Sequence, residues 1–223
     1  TNAGKSSLLR TLSGADLFVE DRLFATLDSA TRSVDLGAGH EALVTDTVGF
    51  IRKLPHHLVA SFRSTLEEAR EADVLLHVVD ASHSDREEQE EVVAEVLAEL
   101  DLDRRPQILV FNKMDRLTHG EEQALRERVR ALRATPAVFV SALQAESLGE
   151  LKETLLARLR GRMPQVRLHV PARDGKTLAD LYREGEVLER RDNGAGIEVT
   201  VRIPEALLGR LRTRDGIHVV GVA

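Results

Sequence analysis

Four short stretches carry residue types suited to holding a phosphorylated base. The first is Thr1-Asn2-Ala3-Gly4-Lys5-Ser6-Ser7 at the start of the chain. Gly4-Lys5-Ser6 supplies the second half of the phosphate-loop pattern G-x-x-x-x-G-K-[ST], whose first glycine would fall two residues upstream of Thr1. In such a loop at a helix start, free backbone amides and the helix dipole favour phosphate. Lys5 would reach the β- and γ-phosphates, and the Ser6 hydroxyl would bind Mg²⁺. Alone, the tripeptide reads equally well as coincidence.

The second stretch is Asp46-Thr47-Val48-Gly49. An acid there can hold Mg²⁺ through water, and Gly49 lets backbone approach a γ-phosphate; an ordinary turn is the simpler alternative. The third is Asn112-Lys113-Met114-Asp115. The Asp115 carboxylate, which only accepts, matches the adjacent N1–H and 2-amino donors of guanine. Adenine offers neither, and a site built to hydrogen-bond rejects analogues that leave it unpaired. The stem of Lys113 can cover the base, and Asn112 can tie this loop to the phosphate loop. The fourth is Ser141-Ala142-Leu143, placed to touch guanine O6 through backbone N–H.

These stretches need a scaffold, and the intervening sequence supplies one. The segments HEALVTD, DVLLHVVDAS, PQILVFN and AVFVSAL read as strands, DVLLHVVDAS as one buried on both faces. Between them SSLLRTLSG, SFRSTLEEAREA, SDREEQEEVVAEVLAEL (N-cap at Ser84), EEQALRERVRALRA and SLGELKETLLARLRGR read as helices. This alternation predicts an α/β fold with a doubly wound, mostly parallel sheet. Each motif then falls at the C-terminal end of a strand, the crevice where open α/β sheets bind ligands. Four motifs in that order imply a guanine-nucleotide site. The longest loop expected is Glu20–Gly39, where a mobile switch would lie.

After Gly161–Pro164 the pattern changes. VRLHVP, TLADLYREGEVLER, GIEVTVRIP, PEALLGRL and GIHVVGVA predict a small βαβαβ domain over residues 165–223, following a nucleotide-binding domain over 1–160. The 223 residues contain no cysteine, which excludes disulfides, thiolate metal sites and a cysteine nucleophile. No apolar run approaches membrane-spanning length. Net charge is −6, yet residues 158–223 carry 13 Lys/Arg against 9 Asp/Glu, permitting contact with a polyanion or merely a solvated basic face. That region has one tyrosine, Tyr182, and no phenylalanine, which disfavours recognition by base stacking.

The stretches LFATLDSATR (23–32) and DTVGFIRKLPHHLVASFRSTLEE (46–68) resemble the HflX family of P-loop GTPases, relatives of the Obg group. The resemblance covers essentially residues 1–160. It implies GTP/GDP as ligand, hydrolysis to GDP and phosphate, and Mg²⁺ as cofactor, held by Ser6, Asp46 and the switch threonine Thr26. It also brings Phe24, Ala25, Leu27 and Asp28 to the nucleotide. Where the family text runs close to LDPTTR, this chain has Asp28-Ser29-Ala30-Thr31-Arg32, which puts the rigidity of that turn in question. Further implications are N-terminal domains upstream, association of a monomer with the large (50S) ribosomal subunit in splitting or rescue under stress, and a cytoplasmic location, peripheral membrane association included. A chain beginning inside its phosphate loop is expected to be a fragment.

Chemistry is expected to involve Asn2, Lys5, Thr26 and Gly49. Glutamine-dependent water activation is excluded at Phe50, which follows Gly49, so intrinsic hydrolysis should be slow; Phe50 also reads as a loop anchor. Asn2 matches a position that helps bind K⁺ in potassium-activated GTPases, or it only shapes the loop. His56 and His57 lack partners at a zinc spacing. Two alternatives stay open: a GTP-dependent binding module with negligible hydrolysis, and a potassium-dependent GTPase of RNA modification.

Overall fold

The computed structural model describes residues 2–14, 30–37, 39–47, 69–132, 135–192, 194 and 196–222. Backbone contacts divide the chain into two units. The first takes residues up to 35 and 42–152; the second takes 36–41 and 153 onward.

In the first unit, helix α1 (Lys5–Ser13) begins at Gly4 and stops at Gly14, both in the left-handed region with φ of 87° and 64°. Leu8, Leu9 and Leu12 form its buried stripe. Strands β3 (Leu75–Asp80), β4 (Gln107–Asn112) and β5 (Ala137–Phe139) make a parallel sheet in that order. Helix α2 (Arg86–Glu99) connects β3 to β4, and α3 (His119–Leu132) connects β4 to β5. The expected α/β class with parallel strands is therefore present. β4 is central and buried along nearly its whole length. β3 is not buried on both faces as its apolar run predicts: Leu75–Val78 are only half-buried, because β3 lies at the margin of the three described strands. Phe111 of β4 stacks on Phe139 of β5 at 5.3 Å, and the Arg126 guanidinium of α3 caps Phe139 at 4.4 Å. Leu97 and Leu100 are buried with Leu102, with Val93 and Val96 packed against them, as the helical face of α2 predicts. Its N-cap, however, is Asp85 rather than Ser84, whose hydroxyl bonds the Asp85 carboxylate instead of a helix amide.

Two strands precede this sheet, β1 (Ala30–Gly37) and β2 (His40–Asp46), paired with each other. β2 matches the expected strand. β1 corrects the loop expected over Glu20–Gly39: its Val34 and Leu36 alternate into the interior at 0% and 5% exposure, the period of a strand. Of the expected helix at 61–72, residues 69–71 are helical, residue 72 is not, and 61–68 lie outside the described residues.

The second unit holds helix α4 (Gly149–Arg162) from residue 153 onward, then β6 (Gln165–Val170), α5 (Gly175–Glu184), β7 (Glu186–Asp192), β8 (Ile197–Arg202), α6 (Glu205–Arg212) and β9 (His218–Val222). The α+β class stands, but the order after α4 is βαββαβ rather than βαβαβ. Glu186–Arg190 was expected to prolong the helix; it lies in β7 and pairs antiparallel with β8 instead. Gly185 leaves the helix in extended backbone, and only glycine fits there, because a Cβ would come within 2.5 Å of Ile203 Cγ2 and 2.9 Å of Arg202 O. The antiparallel sheet runs β7-β8-β6-β9, the split arrangement of ferredoxin-like units. Asp174 caps α5 by accepting from the Thr177 amide at 3.0 Å, a bond worth about 1 kcal/mol. One face of the sheet buries Val166, Leu168, Val199 and Val201 with Leu181, Leu207 and Leu211 of the helices.

Candidate functional site

Three loops of the first unit meet at one buried side chain. β4 delivers Asn112 at 1% exposure to its C-terminal end. Its Nδ2 donates to Ala3 O at 2.8 Å, and its Oδ1 accepts from the Ala142 amide at 2.9 Å. One amide thus binds the loop at residues 2–4 to the loop at 141–143, as expected of Asn112. Thr11 of α1 adds a second tie, its hydroxyl donating to Ala142 O at 2.6 Å.

The glycine at the head of α1 is required by this packing. A Cβ on Gly4 would lie 2.4 Å from Asn112 Nδ2. The loop before α1 therefore needs both the space and the left-handed freedom of glycine, and Asn2 shares the unusual conformation with φ of 63°.

At the front of α1, Ser6 Oγ donates to Asp46 Oδ2 at 2.5 Å. Asp46 closes β2 at 6% exposure, so a hydroxyl and a buried carboxylate sit side by side. Two hard oxygen donors of this kind suit Mg²⁺, which takes one or two protein oxygens and completes its shell with water and phosphate. Among the described residues, no group of three or more His, Cys, Asp and Glu could hold a metal by itself. Burial pushes the Lys5 ammonium below its ordinary pKa, and Asp46 pulls it partly back.

At the other end of the site, Asp115 is exposed and oriented by Ser141, whose hydroxyl donates to its Oδ1 at 2.5 Å. Ser141 is itself buried at 1%, its amide donating to Ser147 Oγ at 2.9 Å. Lys113, in the left-handed region with φ of 65°, sends Nζ to Asn2 O at 2.7 Å and to Asp80 Oδ2 at 2.6 Å. The lysine expected to lie over a base thus has its ammonium anchored at both sides. Met114 packs into the β4–β5 core, and Leu143 is 73% exposed.

The structure therefore brings together Asn2, Ala3, Gly4, Asn112, Lys113, Asp115, Ser141 and Ala142, and separately Ser6 with Asp46. Ser7 lies in the first turn of α1, and Thr47 follows β2. Thr1, Phe24, Ala25, Thr26, Leu27, Asp28, Val48 and Gly49, with Phe50, His56 and His57, lie outside the described residues. Asp80 was missed from sequence. It ends β3 directly opposite Asn112 in the parallel register, and Lys113 holds its carboxyl below the usual range, helped by the Ser82 hydroxyl and amide against the cost of burial.

A parallel sheet with a Gly-Lys-Ser helix start and an Asn-Lys-x-Asp loop at its strand ends defines a P-loop GTPase fold. The chain belongs to the family described as 50S ribosome-binding GTPase, whose model matches residues 1–113. The HflX resemblance is borne out: the chain is similar to GTPase HflX of Gluconacetobacter diazotrophicus, 43% identical over 95% of this chain and 46% of that protein. GTPase HflX of Magnetococcus marinus is 42% identical over 98% of this chain and 50% of its own length. That of Escherichia coli is 37% identical over 92% and 47%. The chain thus spans about half the length of the curated relatives it matches. Among solved structures it resembles the SsGBP and GDP complex, with TM-score 0.54 and 25% identity over 70% of this chain and 46% of that one.

Proposed function

We propose that this chain is the guanine-nucleotide switch of a protein that binds and hydrolyses GTP on the large ribosomal subunit, with a nucleotide-binding domain over 1–160 and a small C-terminal domain over 165–223. The observation that carries the reading is Asn112, which ties the phosphate-loop side to the Ser141-Ala142 side and leaves the Asp115 carboxylate exposed between them. Asp115 selects guanine over adenine, and the Ala142 and Leu143 loop meets O6. Thr1 to Ser7 cradle the phosphates, with the Lys5 ammonium on the β- and γ-oxygens. Anionic phosphates favour its charged form and offset the burial that lowers its pKa. Ser6 and Asp46 would hold Mg²⁺, together with Thr26, and the metal when bound neutralises charge developing on the phosphate oxygens. Phe24 to Asp28 and Asp46 to Gly49 close on the γ-phosphate.

Two supports stand behind this reading: membership of the 50S ribosome-binding GTPase family, and the GDP in the SsGBP complex. The cellular role we propose is subunit splitting or rescue under stress, by a monomer in the cytoplasm. Among the described residues no helix is long and apolar enough to cross a membrane. With Phe50 after Gly49 no glutamine can orient water there, so intrinsic hydrolysis is slow. A K⁺ ion beside Asn2 would spread transition-state charge in place of an arginine; equal hydrolysis in matched KCl and NaCl would remove that element. Phe50 also favours a second reading, a GTP-dependent binding module. Single-turnover phosphate release from the full-length protein, with and without 50S subunits, separates the two. Stimulation by 50S supports the switch, and its absence with intact GTP binding supports the module. Failure to bind a fluorescent guanine nucleotide over its adenine counterpart would overturn both.

A further inference from the structure

Asp80 lies at the end of β3 with 9% of its surface exposed, away from the base-reading carboxylate and the Ser6–Asp46 pair. All its bonds are directed to one purpose. Oδ1 accepts from the Ser82 amide at 3.0 Å and the Ser82 hydroxyl at 2.7 Å, which fixes the carboxylate plane. Oδ2 takes the Lys113 ammonium at 2.6 Å, and the two side chains are only 12% and 15% exposed. The same ammonium reaches Asn2 O at 2.7 Å. It therefore clasps two residues, Asn2 and Lys113, that both hold the left-handed backbone conformation that L-residues disfavour. Surrounding contacts must hold such conformations in place, and the ion pair from Asp80 to Lys113 is one of them.

We propose that Asp80 is a positioning residue for guanine-nucleotide retention. It holds the Lys113 ammonium on the Asn2 carbonyl, so that the phosphate loop and the base loop keep one mutual geometry before the ligand arrives. The proposal rests on the nucleotide reading given above. Asp80 acts through Lys113 and does not touch the ligand. Removing its charge leaves the shielded ammonium with the Asn2 carbonyl as its remaining acceptor in this clasp, and the two loops can separate. Preorganisation lost in this way shows mainly as faster release.

The test is dissociation of N-methylanthraniloyl-GDP from the full-length protein, followed by stopped flow, for the natural protein, Asp80→Asn, Lys113→Gln and the double variant. Melting of the nucleotide-free proteins is measured alongside. Asp80→Asn should raise the release rate about tenfold or more, the usual direction when one partner of a shielded charge pair is removed. The double variant should release no faster than the faster single variant, because both changes break one clasp. The nucleotide-free midpoint should fall in Asp80→Asn, where a shielded ammonium loses its partner, and recover in part in the double variant. A release rate within about twofold of the natural protein, or single effects that multiply in the double variant, would overturn the proposal. A natural protein that retains no labelled GDP overturns the nucleotide reading itself, and the proposal with it. Should Asp80→Asn fail to fold, Ser82→Ala carries the test: losing the hydroxyl that orients the carboxylate should raise release about threefold, and unchanged release would count against it.

Discussion

Ser6 Oγ and Asp46 Oδ2 lie 2.5 Å apart although forty positions separate them, joining the first turn of α1 to the end of β2. Each offers a hard oxygen at the mouth of the phosphate loop. Ser6→Ala and Asp46→Asn should therefore remove the benefit that Mg²⁺ gives to GTP binding, by about 10- to 100-fold in affinity. Affinity in excess EDTA should be nearly the same in natural and variant proteins. Titration of a fluorescent GTP analogue in Mg²⁺ and in EDTA checks both statements. A variant that keeps the full Mg²⁺ effect would exclude that residue from the metal site.

Gly4→Ala tests the packing between the phosphate loop and Asn112. The added methyl would sit 2.4 Å from Asn112 Nδ2, at a residue with φ of 87°. The left-handed conformation alone costs an L-residue roughly 1–2 kcal/mol, and the bonds of Asn112 to Ala3 and Ala142 must give way as well. Nucleotide affinity should fall by about 5- to 30-fold on that conformational cost alone. Calorimetric titration with GDP measures it.

Asp115→Asn should exchange the preferred base. On the proposed reading the carboxylate would accept from two guanine donors, whereas an asparagine amide would accept from one donor and donate to a neighbouring oxygen, the pattern of xanthine. GTP affinity should fall on the order of a hundredfold or more, while XTP binding improves. Ser141 orients this carboxylate through its hydroxyl at 2.5 Å, so Ser141→Ala should weaken GTP binding without changing the preference. Competition between GTP and XTP for a fluorescent nucleotide reads both effects.

The second unit should be sensitive to mild acid through His40. Its imidazole is 8% exposed, and burial together with the Arg160 guanidinium pushes its pKa below the ordinary 6.5, against the opposing pull of Glu186. A depressed pKa means that the unfolded chain binds the proton more readily. The stabilisation is complete above about pH 6.5 and is lost as pH falls through the folded-state value. Thermal melting at pH 7.5 and 5.5 should show a drop for the natural protein that is smaller for His40→Gln.

The meeting of the Asn2–Gly4, Asn112–Asp115 and Ser141–Ala142 stretches was legible because each is a short motif, the second at the end of a strand with a strong apolar pattern. PQILVFN, for example, has the composition of a central strand and delivers Asn112. Asp80 was illegible as a site residue because its partner is set by strand pairing, not by spacing: only the register of β3 against β4 places it beside Asn112 and Lys113. The segment EVLER misled for another reason. Glu, Leu and Arg favour helix locally, but pairing with β8 outweighs that preference once Gly185 breaks α5. ATRSVDLG carried a strand signal in its alternating Val34 and Leu36, masked by its place between the first helix and HEALVTD, where a switch loop was expected.

The ties from Asn112 to Ala3 and from Thr11 to Ala142 span 109 and 131 positions of sequence. During synthesis the phosphate loop is made before Asn112 and Ala142 and stays without these partners until residue 142 is free. Closing such long loops is slow and carries an entropic cost. On the nucleotide reading proposed above, competence to capture nucleotide would arise only after Ala142 has been made, as one event.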